Sequence, residues 1–287
     1  MDYFDHMQLR LTNQEKYVPG RLGDKKLVRQ FADMIGVRTP SVYFRGALAD
    51  IQWGTLPREF VLKPAFASTS IGVMLLRTAG EGKYDDLTGG PAVTVDQIKE
   101  KCAAISTKFY NDAAHGDFII EELLRDEDGQ TPPQDIRFYA FQGEIGMILK
   151  EDHMSNGAAK AMYFDGNFLP FSDVHSRYSV AQGMEAYEEI VEAKTPHNWR
   201  ELLSVAKRIS SAVPSAFCRI DLYDTSEGVY LGEITFYPGT FYYKNRKLMS
   251  QNEAERLGRM WDVAAERLAG SHDPRSLSQA FTTGPTT

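Results

Sequence analysis

Residues 219–239, R-I-D-L-Y-D-T-S-E-G-V-Y-L-G-E-I-T-F-Y-P-G, constrain this chain more than any other stretch. Residues 216–223 are β-branched, aromatic or apolar at most positions. Residues 224–228 carry turn chemistry, and 229–235 resume the strand pattern. The pattern predicts an antiparallel hairpin. Side chains alternate along a strand, so Arg219, Asp221 and Tyr223 share one face. On the partner strand Leu231, Glu233 and Thr235 share a face, with Tyr230 and Gly232 on the other. The hairpin then sets Asp221 beside Glu233, flanked by Arg219 and Thr235. Adjacent carboxylates repel unless a cation lies between them. A few hard oxygen donors suit magnesium, which also keeps waters and phosphate oxygens. For the hairpin alone, a solvated strand face with an ordinary cross-strand charge is the plainer reading.

The chain has 287 residues, enough for one large or two modest domains with a real core. Its net charge of −7 opposes nucleic-acid binding by phosphate neutralisation. Cys102 and Cys218 sit in apolar patterns, as buried free thiols in a reducing compartment would. Asp2 and Asp5 stand where a secretory leader would be apolar, and no run approaches membrane-spanning length. A cytoplasmic protein with neither membrane nor nucleic-acid partners is expected.

Residues 1–23 are polar and read as a lead-in. Asp24 N-caps a helix whose Leu27, Val28, Phe31, Met34 and Ile35 share a face. Lys25 and Lys26 oppose the dipole in its first turn, either solvated or held there for an anion. Residues 59–63 form an apolar strand ending in Lys63. Ser68, Thr69, Ser70 and Gly72 make a hairpin tip whose backbone can approach phosphate oxygens. It is no Walker A loop, since no G-K-[ST] follows, and a plain loop is the commoner explanation. A capping box at 94–97 starts the next helix. Glu121 and Glu122 interrupt an apolar strand over 117–124, either as a hinge against an adenine edge or as its exposed end. Asp126 and Asp128 lie in the loop that follows. Two strands, 135–141 and 144–149, put Arg137 on a face with Asp135 and Tyr139. Residues 151–161 read as a polar loop carrying Lys160, and 172–196 as a second loop. Asn198, with Glu201 at the box position, caps a further helix. Ser250 caps the last one, and from residue 271 onward a disordered tail is expected.

These motifs, in order, are G-D-K-K-L-V-R, F-V-L-K-P, I-I-E-E, D-I-R-F-Y-A-F-Q-G-E, R-I-D-L-Y and L-G-E-I-T-F-Y-P-G-T. Over residues 20–268 the chain resembles the ATP-grasp superfamily. Within that superfamily it is most similar to the TupA-like group, tied to teichuronopeptide and capsule biosynthesis. The resemblance implies a mixed α+β fold of two subdomains, with the nucleotide held between antiparallel sheets. Residues 24–120 would be the lid subdomain and 121–270 the metal-bearing one, after a truncated N-terminal domain. It also implies roles. Lys25 and Lys63 contact ATP phosphates, and Ser68, Thr69, Ser70 and Gly72 cover them. Glu121, Glu122 and Leu123 form the adenine hinge, and Asp128 contacts the ribose. Lys160 reaches the γ-phosphate. Asp221 and Glu233 hold Mg2+, or Mn2+ in its place. Thr235 stands where many ATP-grasp ligases have an asparagine metal ligand. Arg219 faces the transferred phosphoryl group. With so short a lead-in, the acceptor site would come from loops, from residues 165–196, or from a second copy or partner subunit.

Phosphoryl transfer needs charge neutralisation and alignment rather than a covalent nucleophile. The six histidines accordingly form no H-E-x-x-H or triad-like cluster. The expected activity is an ATP-dependent ligase joining a small carboxylate to an amine through an acyl phosphate. A phosphotransferase and a non-catalytic nucleotide-binding subunit are the alternatives.

Overall fold

The computed structural model describes residues 1–15, 18–67, 71–80, 82–152, 158–242 and 246–270. The chain runs α1 (Tyr3–Leu11), α2 (Lys25–Met34), β1 (Val42–Ala47), β2 (Glu59–Pro64), β3 (Met74–Gly80), β4 (Lys83–Asp86), β5 (Val93–Thr94), α3 (Val95–Tyr110) and β6 (Asp117–Glu121). It continues through β7 (Asp135–Phe141), β8 (Glu144–Asp152), β9 (Ala159–Asp165), α4 (Val174–Arg177), β10 (Tyr178–Val180) and β11 (Glu188–Ile190). It ends with α5 (Trp199–Ala212), β12 (Cys218–Thr225), β13 (Gly228–Thr235), β14 (Lys247–Met249) and α6 (Gln251–Gly270). The fold is mixed α+β, as expected.

Two compact units emerge, Pro40–Pro132 and the remainder, Met1–Thr39 with Pro133–Thr287. The expected division near residues 24 and 120 differs from this, because α2 belongs to the larger unit. The amphipathic face that predicted α2 is the reason. Its Val28, Phe31 and Ala32 are buried among residues of β7, β12 and β13. The proposed tail, 271–287, lies outside the described residues.

The smaller unit is an antiparallel sheet in the order β1-β6-β2-β3-β4-β5. Phe60, Leu62, Leu76, Phe118 and Ile120 pack with Ile98 and Cys102 of α3. Thr94 and Gln97 complete the expected capping box of α3.

The larger unit is built on the sheet β11-β9-β8-β7-β12-β13, in which only β11 pairs in parallel. Both faces carry packed apolar side chains. On one face Phe138, Ile148, Ile220, Leu222 and Ile234 meet α2 and α5. On the other Tyr139, Phe141, Met147, Leu149 and Tyr163 meet α1 and α6. Residues 1–23 are thus more than a lead-in. Asp2 and Asp5 form a capping box on α1, and Tyr3 and Met7 are buried. Gly258 permits the close approach of α6, since a Cβ there would lie 2.2 Å from the Met1 carbonyl oxygen. Asn198 makes no side-chain capping bond and donates to Asp224 Oδ1 at 2.8 Å instead. Cys102 and Cys218 are free and buried, and burial pushes both thiols up to about 12. No helix among the described residues is long and apolar enough to cross a membrane.

Candidate functional site

The predicted hairpin forms, as β12 and β13. Arg219 pairs with Thr235, and Asp221 with Glu233. Between Asp221 and Leu222 the register shifts, so Leu222 faces Leu231 and Gly232 is the extra residue of a bulge. The bulge corrects one expectation. Leu231 does not share a face with Glu233. It turns into the core beside Leu222 and Ile234, while Glu233 stays outward. Gly232 suits the bulge because a Cβ there would meet the Tyr223 ring at 2.7 Å.

Arg219 binds Asp221 with two bonds, Nε to Oδ1 at 2.7 Å and Nη2 to Oδ2 at 2.6 Å. Its Nη2 also donates to Thr235 Oγ1 at 3.4 Å and lies 4.0 Å from Glu233 Oε2. Arg219 and Asp221 are nearly buried, while the Glu233 side chain is 55% exposed. Burial disfavours the Arg219 charge. The charge and hydrogen bonds of Asp221 outweigh it, and the guanidinium is held above its ordinary range. One cation therefore faces two carboxylates, and the face keeps a surplus negative charge open to solvent.

In the smaller unit, Lys63 forms an ion pair with the buried Glu121. The Glu122 carboxylate accepts the Ser41 N–H at 2.9 Å, and the Glu122 N–H donates to the Ser41 carbonyl at 2.8 Å. Residues 121–122 are thus anchored at the end of β6, and neither acid is merely a solvated strand end. Leu123 follows, half-buried. Asp126, not Asp128, organises the next loop, accepting the N–H groups of Asp128 and Gln130 at 3.1 and 2.7 Å. Asp128 itself is exposed. Ser68, Thr69 and Ser70 lie outside the described residues. Gly72 has φ +73, and a Cβ there would meet Ile105 at 2.5 Å. That glycine is needed for packing against α3, before any ligand is considered.

Two expected site residues are placed elsewhere. Lys160 is in β9, not a loop, because the apolar strand pattern starts at Ala159. It pairs with Asp152, whereas Glu151 pairs with Ala161. Following the register from Asp221 through Arg137, Leu149 and Tyr163 puts Lys160 on the opposite face of the sheet from Asp221. Lys25 opens α2 in the larger unit, so it does not share a unit with Lys63.

The same sheet face holds charges that the sequence reading missed. Arg137, directly opposite Asp221, binds Glu151, and its Nη2 donates to Asp135 at 3.0 Å. Lys247 lies 2.5 Å from Glu151 Oε1 and 2.8 Å from Glu188 Oε1. Burial lowers the Lys247 ammonium below its usual range, against the opposing pull of Glu188. The only sequence signal was the alternation that set Arg137 beside Asp135 and Tyr139. Lys247 and Glu188 meet across long sequence separations that carry no local pattern.

The family described as TupA-like ATPgrasp matches residues 5–258. The chain belongs to the TupA-like ATP-grasp family. No curated protein matches the sequence. Among solved structures it is similar to D-alanine–D-alanine ligase from Bacillus anthracis, with a TM-score of 0.49 and 17% identity, covering 87% of this chain and 69% of that one. It is also similar to the Helicobacter pylori D-alanine–D-alanine ligase, with a TM-score of 0.46 and 15% identity, covering 88% of this chain and 62% of that one. A third is the ATP-grasp ligase PsnB complexed with a phosphomimetic precursor variant, Mg and ADP, at 0.43 and 11% identity, covering 87% and 59%. All three scores are below 0.5, so the family rests on the sequence match.

ATP-grasp proteins generally use ATP and Mg2+. The TupA-like chain offers donors of the right kind for the metal. Asp221 and Glu233 present hard oxygens on one face, with the Thr235 hydroxyl alongside and a net negative charge. Among the described residues no three His, Cys, Asp or Glu side chains group into a metal cage. Two carboxylates on one face are the hard oxygen donors that magnesium takes sparsely from protein.

Proposed function

We propose that this TupA-like ATP-grasp protein is an ADP-forming carboxylate–amine ligase. The observation that carries the reading is the Arg219–Asp221–Glu233–Thr235 face, with its permanent cation and its surplus negative charge. In the proposed reaction a substrate carboxylate oxygen attacks the γ-phosphorus of ATP and ADP leaves. The amine nitrogen then attacks the acyl carbon, phosphate leaves, and the nitrogen sheds a proton. Magnesium or manganese on Asp221 and Glu233 would supply charge neutralisation for the phosphate oxygens. Arg219, which stays protonated, would stabilise the charge on the transferred phosphoryl group. Lys25 and Lys63 are proposed as phosphate contacts, Ser68, Thr69, Ser70 and Gly72 as cover, residues 121–123 as the adenine hinge and Asp128 as the ribose contact. Thr235 is the proposed neutral metal neighbour. Lys160, expected at the γ-phosphate, lies on the sheet face opposite Asp221.

The substrates proposed are small carboxylates and amines of natural-product, peptide or cell-surface polysaccharide modification. Loops, residues 165–196, or a second copy or partner subunit would complete the acceptor site, in the cytoplasm. Incubation with ATP, magnesium, carboxylate pools and hydroxylamine tests the reading. The expected result is ADP together with a hydroxamate. ADP with a stable phosphate ester and no hydroxamate would make the protein a phosphotransferase. Magnesium-dependent ADP binding with no turnover of any pool would make it a binding subunit.

A further inference from the structure

Arg10 in α1 is fully buried, yet it comes from the part of the chain that reads as a lead-in. All five of its N–H donors are used. Nη1 donates to the Phe217 carbonyl at 3.0 Å and to the Phe236 carbonyl at 2.9 Å. Nε and Nη2 donate to Glu15 at 2.6 and 2.7 Å, and Nη2 also reaches Ser215 Oγ at 3.2 Å. The guanidinium stacks 4.6 Å over the Trp261 ring.

Phe217 immediately precedes β12, and Phe236 immediately follows β13. The turn at 225–228 closes the hairpin at one end. At the other end Pro238 has no N–H to extend the ladder. There a single nitrogen of Arg10 spans both strands. Arg219 lies two residues beyond Phe217, and Thr235 adjoins Phe236. Two hydrogen bonds of about 3 Å from one nitrogen hold the carbonyl oxygens within about one strand spacing of each other.

We propose that Arg10 is a positioning residue. It fixes the separation of the Arg219–Asp221 pair from the Glu233–Thr235 pair, and so sets the affinity of this face for a divalent cation. The proposal rests on the ligase reading for the identity of that cation. Lysine cannot replace Arg10, because one ammonium lacks the planar fork that reaches Glu15 and both carbonyls at once.

The test is a magnesium titration of ADP binding, followed by calorimetry, on wild type, Arg10→Lys, Arg10→Met and Met7→Ala. Met7 is buried in the same core cluster and makes none of the hydrogen bonds by which Arg10 holds the Phe217 and Phe236 carbonyls, so its variant controls for loosened packing. The Arg10 variants are expected to raise the magnesium midpoint roughly tenfold or more, as loss of a residue orienting metal ligands does. Met7→Ala is expected to lower the melting temperature and leave the midpoint in place. An unchanged midpoint in the Arg10 variants, or an equal rise in Met7→Ala, would overturn the clamp alone. Wild type without any magnesium-dependent ADP binding would overturn the ligase reading and the clamp together. Should both Arg10 variants fail to fold, Ser215→Ala carries the test. Ser215 Oγ accepts from Arg10 and donates to the Phe217 carbonyl at 2.8 Å. A higher midpoint in that variant supports the clamp, and the wild-type midpoint overturns it.

Discussion

Two clusters of charge share one face of the larger unit's sheet, and they differ in what they leave unsettled. In the cluster of Arg137, Glu151, Lys247 and Glu188, each buried carboxylate has a cation, and the Glu151 and Glu188 side chains are 1% and 0% exposed. In the hairpin cluster one arginine faces Asp221 and Glu233, and Glu233 reaches solvent. Both clusters are strand neighbours, since Arg137 is the register partner of Asp221. A buried set of paired charges holds strands together. The hairpin face instead leaves a surplus negative charge, on Glu233, open to solvent. Perturbed charge alone would not have separated the two, because structural networks shift titrations as active sites do.

The comparison breaks most directly through Lys247. Lys247→Met leaves Glu151 and Glu188 buried without their shared cation, and is expected to cost about 3–5 kcal/mol in urea unfolding. A loss below about 1 kcal/mol would mean that the closed cluster does not hold the sheet together. A smaller effect is expected at the bulge. Gly232→Ala forces a Cβ against the Tyr223 ring and is expected to destabilise by about 1–3 kcal/mol. Gly54→Ala, with nothing within 4 Å, is the control and should stay within about 0.5 kcal/mol. Equal melting temperatures for the two would show that the bulge is not sterically fixed.

The smallest effect concerns Glu253, a further buried carboxylate. Burial raises its pKa, but the Arg256 and Tyr178 hydrogen bonds and the Arg177 contact outweigh burial and hold the carboxyl below its usual 4.5. A folded pKa below the unfolded one gives stability that is complete above the unfolded value and is lost as pH falls through the folded one. Glu253→Gln should therefore flatten the acid limb of stability against pH, below 4.5. An unchanged slope in denaturation midpoints would show that Glu253 is not a closed pair of this kind.

How much was legible follows from the range of each interaction. The Asp221/Glu233 pairing was readable because strand alternation and a turn are local. The orientation of Leu231 was not, because a one-residue bulge inverts the alternation and Gly232 gives no unique signal for it. Lys160 was misplaced because 151–161 is polar, while its strand is specified by pairing with β8 and β11. The boundary near residue 40 was missed because α2 packs on strands far along the chain. Arg10 was invisible for the same reason. Its two carbonyl partners lie more than two hundred positions away.

The measurement that bears most directly on the central claim is the thermal stability of wild type and Asp221→Asn with ADP, with and without magnesium. At about a hundredfold over Kd, bound nucleotide should add roughly 2.7 kcal/mol to wild type, a rise of a few degrees. This rise should need magnesium and vanish in Asp221→Asn. A rise of equal size in the variant, or none in wild type at saturating nucleotide, would contradict it.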